Sequence, residues 1–201
     1  MFDARIRPLI DPPLNEAGRR LARSGITADA VTIFGFALGM TAATAIALGR
    51  IDIGLGLFLV GRLADGLDGA VARATRKTDR GGFLDIVLDF LLYGAIPLAF
   101  AIHDPVQNAL PAAVLLMSFF ANGTAFLAFA IMAERRKIET DAQGQKSLFY
   151  MAGLVEGFET VVALAAMCLF STWFAEIAYG YAALCFASAF GRILFAWRVL
   201  A

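Results

Sequence analysis

The chain has 201 residues, 60% of them hydrophobic and 17% charged, with a mean hydropathy of +0.72 and a formal net charge of zero. That composition places it among integral membrane proteins before any motif is considered, and nothing in it supports nucleic-acid binding. Cys168 and Cys185 both fall in apolar runs, so no disulfide framework is expected.

Residues 1–27 carry Ile6, Leu9, Ile10, Leu14, Ala17 and Leu21 at helical spacing, with arginines on the other positions, which reads as an interfacial amphipathic segment. Pro12 and Pro13 interrupt its middle; Asp11 is placed to cap, and Pro13 to open, a second short helix that ends near Gly25. The plainer alternative is a basic flank that does no more than set orientation. The segment is too polar for a cleavable signal peptide, so the first span is expected to direct insertion.

Apolar runs then follow at residues 30–49, 53–64, 83–102, 105–133, 147–175 and 177–191. They predict an all-α membrane protein: six transmembrane helices in one bundle over residues 28–201, preceded by the interfacial segment 1–27. The second run is too short alone and must continue to Arg73 to span the bilayer. Basic residues gather before the first span (Arg5, Arg7, Arg19, Arg20, Arg23), between the second and third (Arg73, Arg76, Lys77, Arg80) and between the fourth and fifth (Arg135, Arg136, Lys137, Lys146). The opposite loops are nearly free of basic charge. Both termini and the loops rich in arginine and lysine are therefore expected on the cytoplasmic side of the inner membrane. Residues 138–146 form a polar connection expected to be a mobile lid or loop. No internal repeat of the transporter kind is visible.

Four carboxylates stand inside this apolar background: Asp65 and Asp68 at the end of the second span, Asp85 and Asp89 in the third. A charge near the bilayer centre costs about 2.5–3.5 kcal/mol on the most lenient scale, so four would cost on the order of 10 kcal/mol uncompensated. Spacings of three and four residues put each pair on one helix face. An antiparallel pairing of the two helices across the short polar link at residues 74–80 would bring both acidic stripes together. Hard divalent cations prefer such oxygen ligands. The alternative is an ion-pair cluster with Arg62, Arg73, Arg76 and Arg80, which would not call for Gly69, Ala72 and Gly81 at fixed positions and would struggle to offset its own desolvation.

The segment from Asp65 to Asp89 closely resembles the signature of the CDP-alcohol phosphotransferases, D-x-x-D-G-x-x-A-R followed by G-x-x-x-D-x-x-x-D, matched here by Asp65, Asp68, Gly69, Ala72, Arg73, Gly81, Asp85 and Asp89. The spacer from Arg73 to Gly81 holds seven residues, one fewer than the family's usual minimum. Residues 25–32 resemble the family's patch before the first span, with Ala28 where Pro is usual and Asp29 at the polar position near the nucleotide. The resemblance implies an enzyme that transfers a phosphatidyl group from CDP-diacylglycerol to a small polar alcohol and releases CMP, and a homodimer. It implies that Asp65, Asp68, Asp85 and Asp89 hold divalent metal, Mg2+ or Mn2+. Asp29, Asp65, Gly69, Ala72 and Arg73 would receive the nucleotide, with Gly69 and Ala72 leaving room for it and Arg73 contacting phosphate or carboxylate. Asp89, one turn deeper than Asp85, would serve as general base.

The acceptor is less sharply indicated. Arg135, Arg136 and Lys146 suit a phosphorylated alcohol, although positive-inside orientation alone would also place them there. Glu156 and Glu159 in the fifth run suit an amine-bearing alcohol instead, or simply bond to Arg62, Arg192 or Lys146. From other classes, an ion-coupled transporter would use the buried acids to carry cations, and a purely structural subunit would tolerate their replacement.

Overall fold

A computed structural model describes residues 3–136, 155 and 157–201, with side chains from Pro12 onward. The described residues form α1 (Asp3–Arg23), α2 (Ala28–Ala47), α3 (Ile51–Ala74), α4 (Asp79–His103), α5 (Pro105–Arg135), α6 (Gly157–Leu169) and α7 (Phe174–Val199), with a 3-10 turn at Ser171–Trp173 before α7. No strand occurs among them.

Four helical stretches are long and apolar enough to cross a membrane: Ala28–Ala47, Asp79–His103, Pro105–Arg135 and Ser171–Val199. Helix α3 has 24 residues, about 36 Å at 1.5 Å per residue, but Asp52, Arg62, Asp65, Asp68 and Arg73 dilute its apolar character. Helix α6 has 13 residues, most of them apolar, and most of the stretch expected to extend it toward residue 147 lies outside the described residues. The same holds for the 138–146 connection. Helices thus stand at all six expected places, four of them with the length and hydropathy of a span.

Helix starts follow their caps. Thr27 accepts from the Ala30 amide, Thr78 from the Gly81 amide at 3.0 Å, and Asp104 from the Gln107 amide with Pro105 in the first turn of α5. Only residues 75–78 separate α3 from α4, so the chain doubles back at once and the polar end of α3 stands beside the start of α4.

Close approach of α2 and α3 depends on glycine. A Cβ on Gly35 would stand 3.2 Å from both the Gly61 carbonyl oxygen and the Ala64 methyl, and one on Gly61 would stand 3.0 Å from the Gly35 carbonyl oxygen. Small residues at such crossings let backbones pack directly, the usual substitute for a hydrophobic driving force in lipid. The core lies between α2, α3, α4, α5, α6 and α7, built from Phe58, Leu92, Ile96, Leu115, Leu164 and Met167, with Phe100 stacked on Phe174 at 4.4 Å. Outward-facing Phe34, Leu63, Phe120 and Trp197 form the apolar exterior that a lipid-embedded bundle presents. Cys168 and Cys185 are buried free thiols.

At the N-terminus the structure departs from expectation. Instead of two segments broken at Pro12 and Pro13, one helix runs from Asp3 to Arg23. Both prolines are exposed, while Leu14, Asn15 and Gly18 lie against α3, so the backbone bonds that proline removes fall on the side open to solvent. A Cβ on Gly18 would come within 2.7 Å of the Ala70 backbone and methyl, which shows how tightly α1 is seated. Leu21 and Ala22 extend that contact onto a small cluster around Val31, Ala64 and Val71. On the outer face Arg19 and Arg20 hydrogen-bond to Glu16 and hold its carboxyl below the usual range.

Candidate functional site

The doubling back at residues 75–78 brings the acids together. One carboxylate oxygen from each of Asp65, Asp68 and Asp85 lies within 4.8 Å of the other two. Asp68 is buried, Asp65 half-buried and Asp85 exposed, so the group opens from the α3–α4 seam toward the surface. Thr32 on α2 donates its hydroxyl to Asp68 Oδ2 at 2.6 Å. Among the described residues no arginine or lysine forms a salt bridge with Asp68 or Asp85. Three like charges this close, all hard oxygen donors and mostly without a protein counter-charge, are the donor set a small divalent cation requires.

Asp89 stands apart from that trio. Its Oδ1 accepts from Arg62 Nη1 at 2.6 Å and its Oδ2 accepts from the Tyr93 hydroxyl at 3.3 Å. The same Arg62 Nη1 lies 3.6 Å from Asp65 Oδ2, and the guanidinium carbon sits 5.7 Å from the centre of the Tyr93 ring. The ion-pair alternative therefore accounts for Arg62 alone: Arg73 donates through Nε and Nη2 to Asn15 Oδ1 at 3.1 and 2.9 Å, and Arg80 pairs with Asp29 at 2.5 Å.

The small residues of the motif stand close to polar side chains. A Cβ on Gly69 would meet the Arg73 guanidinium at 3.3 Å, and one on Gly81 would meet Asp29 Oδ1 at 3.2 Å. Ala72 is half-buried beside them. Asp29, Arg73 and the first turn of α4 thus border the same polar end of the bundle as the acids. Arg135 and Arg136 are exposed at the end of α5, and Glu159 is half-buried on α6. Lys137, Lys146 and Glu156 lie outside the described residues.

Beyond Asp89 a cavity of about 470 Å³ opens between α4, α5, α6 and α7, within the range of small-molecule sites. Its wall is mostly aromatic and apolar, with Tyr93, Asn122, Thr160 and Arg192 as polar points. Arg192 Nη1 donates to Asn122 Oδ1 at 3.0 Å and its guanidinium lies 5.2 Å from the Phe126 ring centre. Tyr93 lies one turn from Asp89 on α4, whereas Thr32 and the Asn122–Arg192 pair come from helices remote in sequence from the acids.

Over residues 25–197 the sequence matches the family of CDP-alcohol phosphatidyltransferases. The chain belongs to that family. As a CDP-alcohol phosphatidyltransferase it is a multi-pass membrane enzyme of phospholipid biosynthesis that transfers a substituted phosphate group, which removes the transporter and the structural subunit from consideration. It is 44% identical over 193 residues to the inner membrane protein YnjF of Escherichia coli, a match covering 96% of this chain and 94% of that one. It is 37% identical over 105 residues to an archaetidylinositol phosphate synthase of Pyrococcus horikoshii, covering 52% and 56% of the two chains. The phosphatidyltransferase fold is also similar to that of the phosphatidylinositol phosphate synthase PgsA1 of Mycobacterium tuberculosis in its crystal structure with CDP-DAG bound, with a TM-score of 0.71 at 22% identity over 92% of this chain and 93% of that one. A second crystal structure of PgsA1, in complex with manganese and citrate, gives a TM-score of 0.69 at 21% identity, covering 92% and 88%.

Proposed function

We propose that this phosphatidyltransferase takes CDP-diacylglycerol as donor and a small alcohol bearing an anionic group as acceptor, at a divalent-metal site on the cytoplasmic face of a six-span bundle that works as a homodimer. The observation that carries the reading is the convergence of Asp65, Asp68 and Asp85 beside a cavity that ends on Arg192. Relatives named for inositol phosphate products, and a similar fold crystallised with CDP-DAG or with manganese, support it.

Asp65, Asp68 and Asp85 would hold Mg2+ or Mn2+, which when bound supplies neutralisation of the diphosphate oxygens and of the departing CMP. Gly69, Ala72 and Gly81 leave the nucleotide room to lie along α3, and Arg73 and Asp29 border it. The acceptor enters from the Arg192 side, where a guanidinium suits a phosphate or carboxylate on the alcohol. Asp89, fixed by Arg62 and Tyr93, takes the proton of the acceptor hydroxyl. The acceptor oxygen bonds to the phosphorus that carries diacylglycerol, the bond from that phosphorus to the CMP oxygen breaks, and CMP leaves with its electron pair. The amphipathic α1 would lie in the headgroup layer beside this opening.

Purified protein supplied with labelled CDP-diacylglycerol and a panel of acceptors tests the reading, with CMP release and the lipid product by mass spectrometry as readouts. Turnover should appear with phosphorylated polyols, vanish with EDTA and return with Mg2+ or Mn2+. Arg192→Gln should raise the acceptor KM about 10-fold or more, leaving the donor KM unchanged, as expected for one lost charge-assisted hydrogen bond. Equal turnover with serine or choline would overturn the anionic acceptor, and metal-independent turnover would overturn the metal site.

A further inference from the structure

Arg73 is the one cation among the signature positions, in the last turn of α3, and its guanidinium is held by a residue from outside the signature. Nε and Nη2 both donate to Asn15 Oδ1 on α1, at 3.1 and 2.9 Å. The third nitrogen, Nη1, lies back over Gly69, 3.3 Å from where a Cβ on that glycine would stand, and it has no hydrogen-bond partner among the described residues.

A guanidinium is a rigid planar fork, so fixing two of its nitrogens fixes the direction of the third. On an exposed arginine that direction would otherwise be spread over many rotamers. Helix α1 is seated firmly enough to impose it. A Cβ on Gly66 would meet Leu14 Cδ1 at 3.2 Å, and one on Gly18 would come within 2.7 Å of Ala70, so contacts with α3 on either side of Asn15 index α1 against the motif stretch. The amide is also suited to the task. Its oxygen accepts without carrying a charge, so it orients Arg73 and leaves the positive charge for an anion, whereas a carboxylate there would neutralise it.

We propose that Asn15 is a positioning residue for the donor: through it α1 aims Nη1 of Arg73 across Gly69 at the diphosphate of the bound nucleotide. The N-terminal helix is thereby part of the donor site. The inference rests on the placement of the nucleotide along α3 proposed above, and the measurement separates the two.

Binding of CDP, which carries the nucleotide and diphosphate of the donor without its lipid, is titrated calorimetrically on the full-length protein in detergent micelles at saturating Mg2+, with thermal unfolding as the check on folding. Asn15→Leu should weaken CDP about 10-fold, as for one misdirected charge-assisted hydrogen bond, and Arg73→Gln by at least as much. The double variant should bind like Arg73→Gln alone, because Asn15 acts only through that guanidinium. Glu16→Gln, next in sequence but bonded to Arg19 and Arg20 on the outer face, should bind CDP like the native protein. Asn15→Asp keeps both the shape and the accepting oxygen, so it stands even where Asn15→Leu fails to fold, and it should still lose CDP affinity through neutralisation of Arg73. Native affinity in folded Asn15→Leu or in Asn15→Asp, losses that add in the double variant, or an equal loss in Glu16→Gln would each overturn the role of Asn15. Native affinity in Arg73→Gln would instead overturn the placement of the nucleotide against Arg73, and the inference with it.

Discussion

Thr32 carries no charge, yet among the described residues its hydroxyl makes the one side-chain hydrogen bond that reaches Asp68 from another helix. A carboxylate that must meet a metal needs its other lone pairs satisfied and its rotamer held, and neighbours with that task are worth roughly 10–100-fold in metal affinity. Thr32→Val, close in volume, should therefore weaken Mn2+ binding by about that factor while Asp68→Asn abolishes it, as titration of metal-free protein would show. Residue-scale chemistry was legible wherever it repeats along one helix. The spacings of Asp65 to Asp68 and of Asp85 to Asp89 announce a shared face, and Gly69 and Gly81 stand where bulk would collide with Arg73 and Asp29. What could not be read is apposition: Thr32 meets Asp68 across 36 positions and Arg62 meets Asp89 across 27, and nothing in local spacing favours those partners over others. The family resemblance puts Asp89 in one ligand set with the other acids; that it also accepts from Arg62 on α3 and from Tyr93 one turn along α4 was not legible in the spacing.

At the scale of helices, hydropathy located α2, α4 and α5 within a few residues, and it required α3 to continue through its acids in order to be long enough. It could not foresee that α1 would run through Pro12 and Pro13, because proline's cost depends on which side of the helix faces water and which is seated on a neighbour. Nor did it foresee the glycine crossing of α2 and α3, where fit between two backbones decides and apolar content does not. Gly35→Leu should separate these helices, shift Thr32 from Asp68, and destabilise the fold by about 2–3 kcal/mol, in the range of forced overpacking. Thermal unfolding in detergent would register the loss, and Gly56→Leu, at a position with open space around it, should leave the midpoint nearly unchanged.

For the whole molecule, the distribution of arginine and lysine was the only guide to orientation, and the structure adds that the acids, Asp29 and Arg73 gather at one end of the bundle while Gly49 and Val106 lie at helix ends opposite. Thiol labelling of intact cells tests the proposed cytoplasmic placement of the acidic end: Val106→Cys, 95% exposed in the native residue, should react from outside, and Lys77→Cys only after the membrane is opened. Cys168 and Cys185 are buried and should stay silent. The cap at Thr78 governs how this architecture responds to changes in length. Because it sets the first residue of α4, Asp85 and Asp89 are indexed by count from that point. A residue inserted between Thr78 and Asp85 would swing both carboxylates by about 100° around the helix axis, out of reach of Asp65. The same insertion a few positions earlier would merely slacken a surface link, which is why a spacer one residue short still lets the acids meet. Two indels alike in hydropathy and nearly adjacent in the gene thus separate a dead protein from a working one.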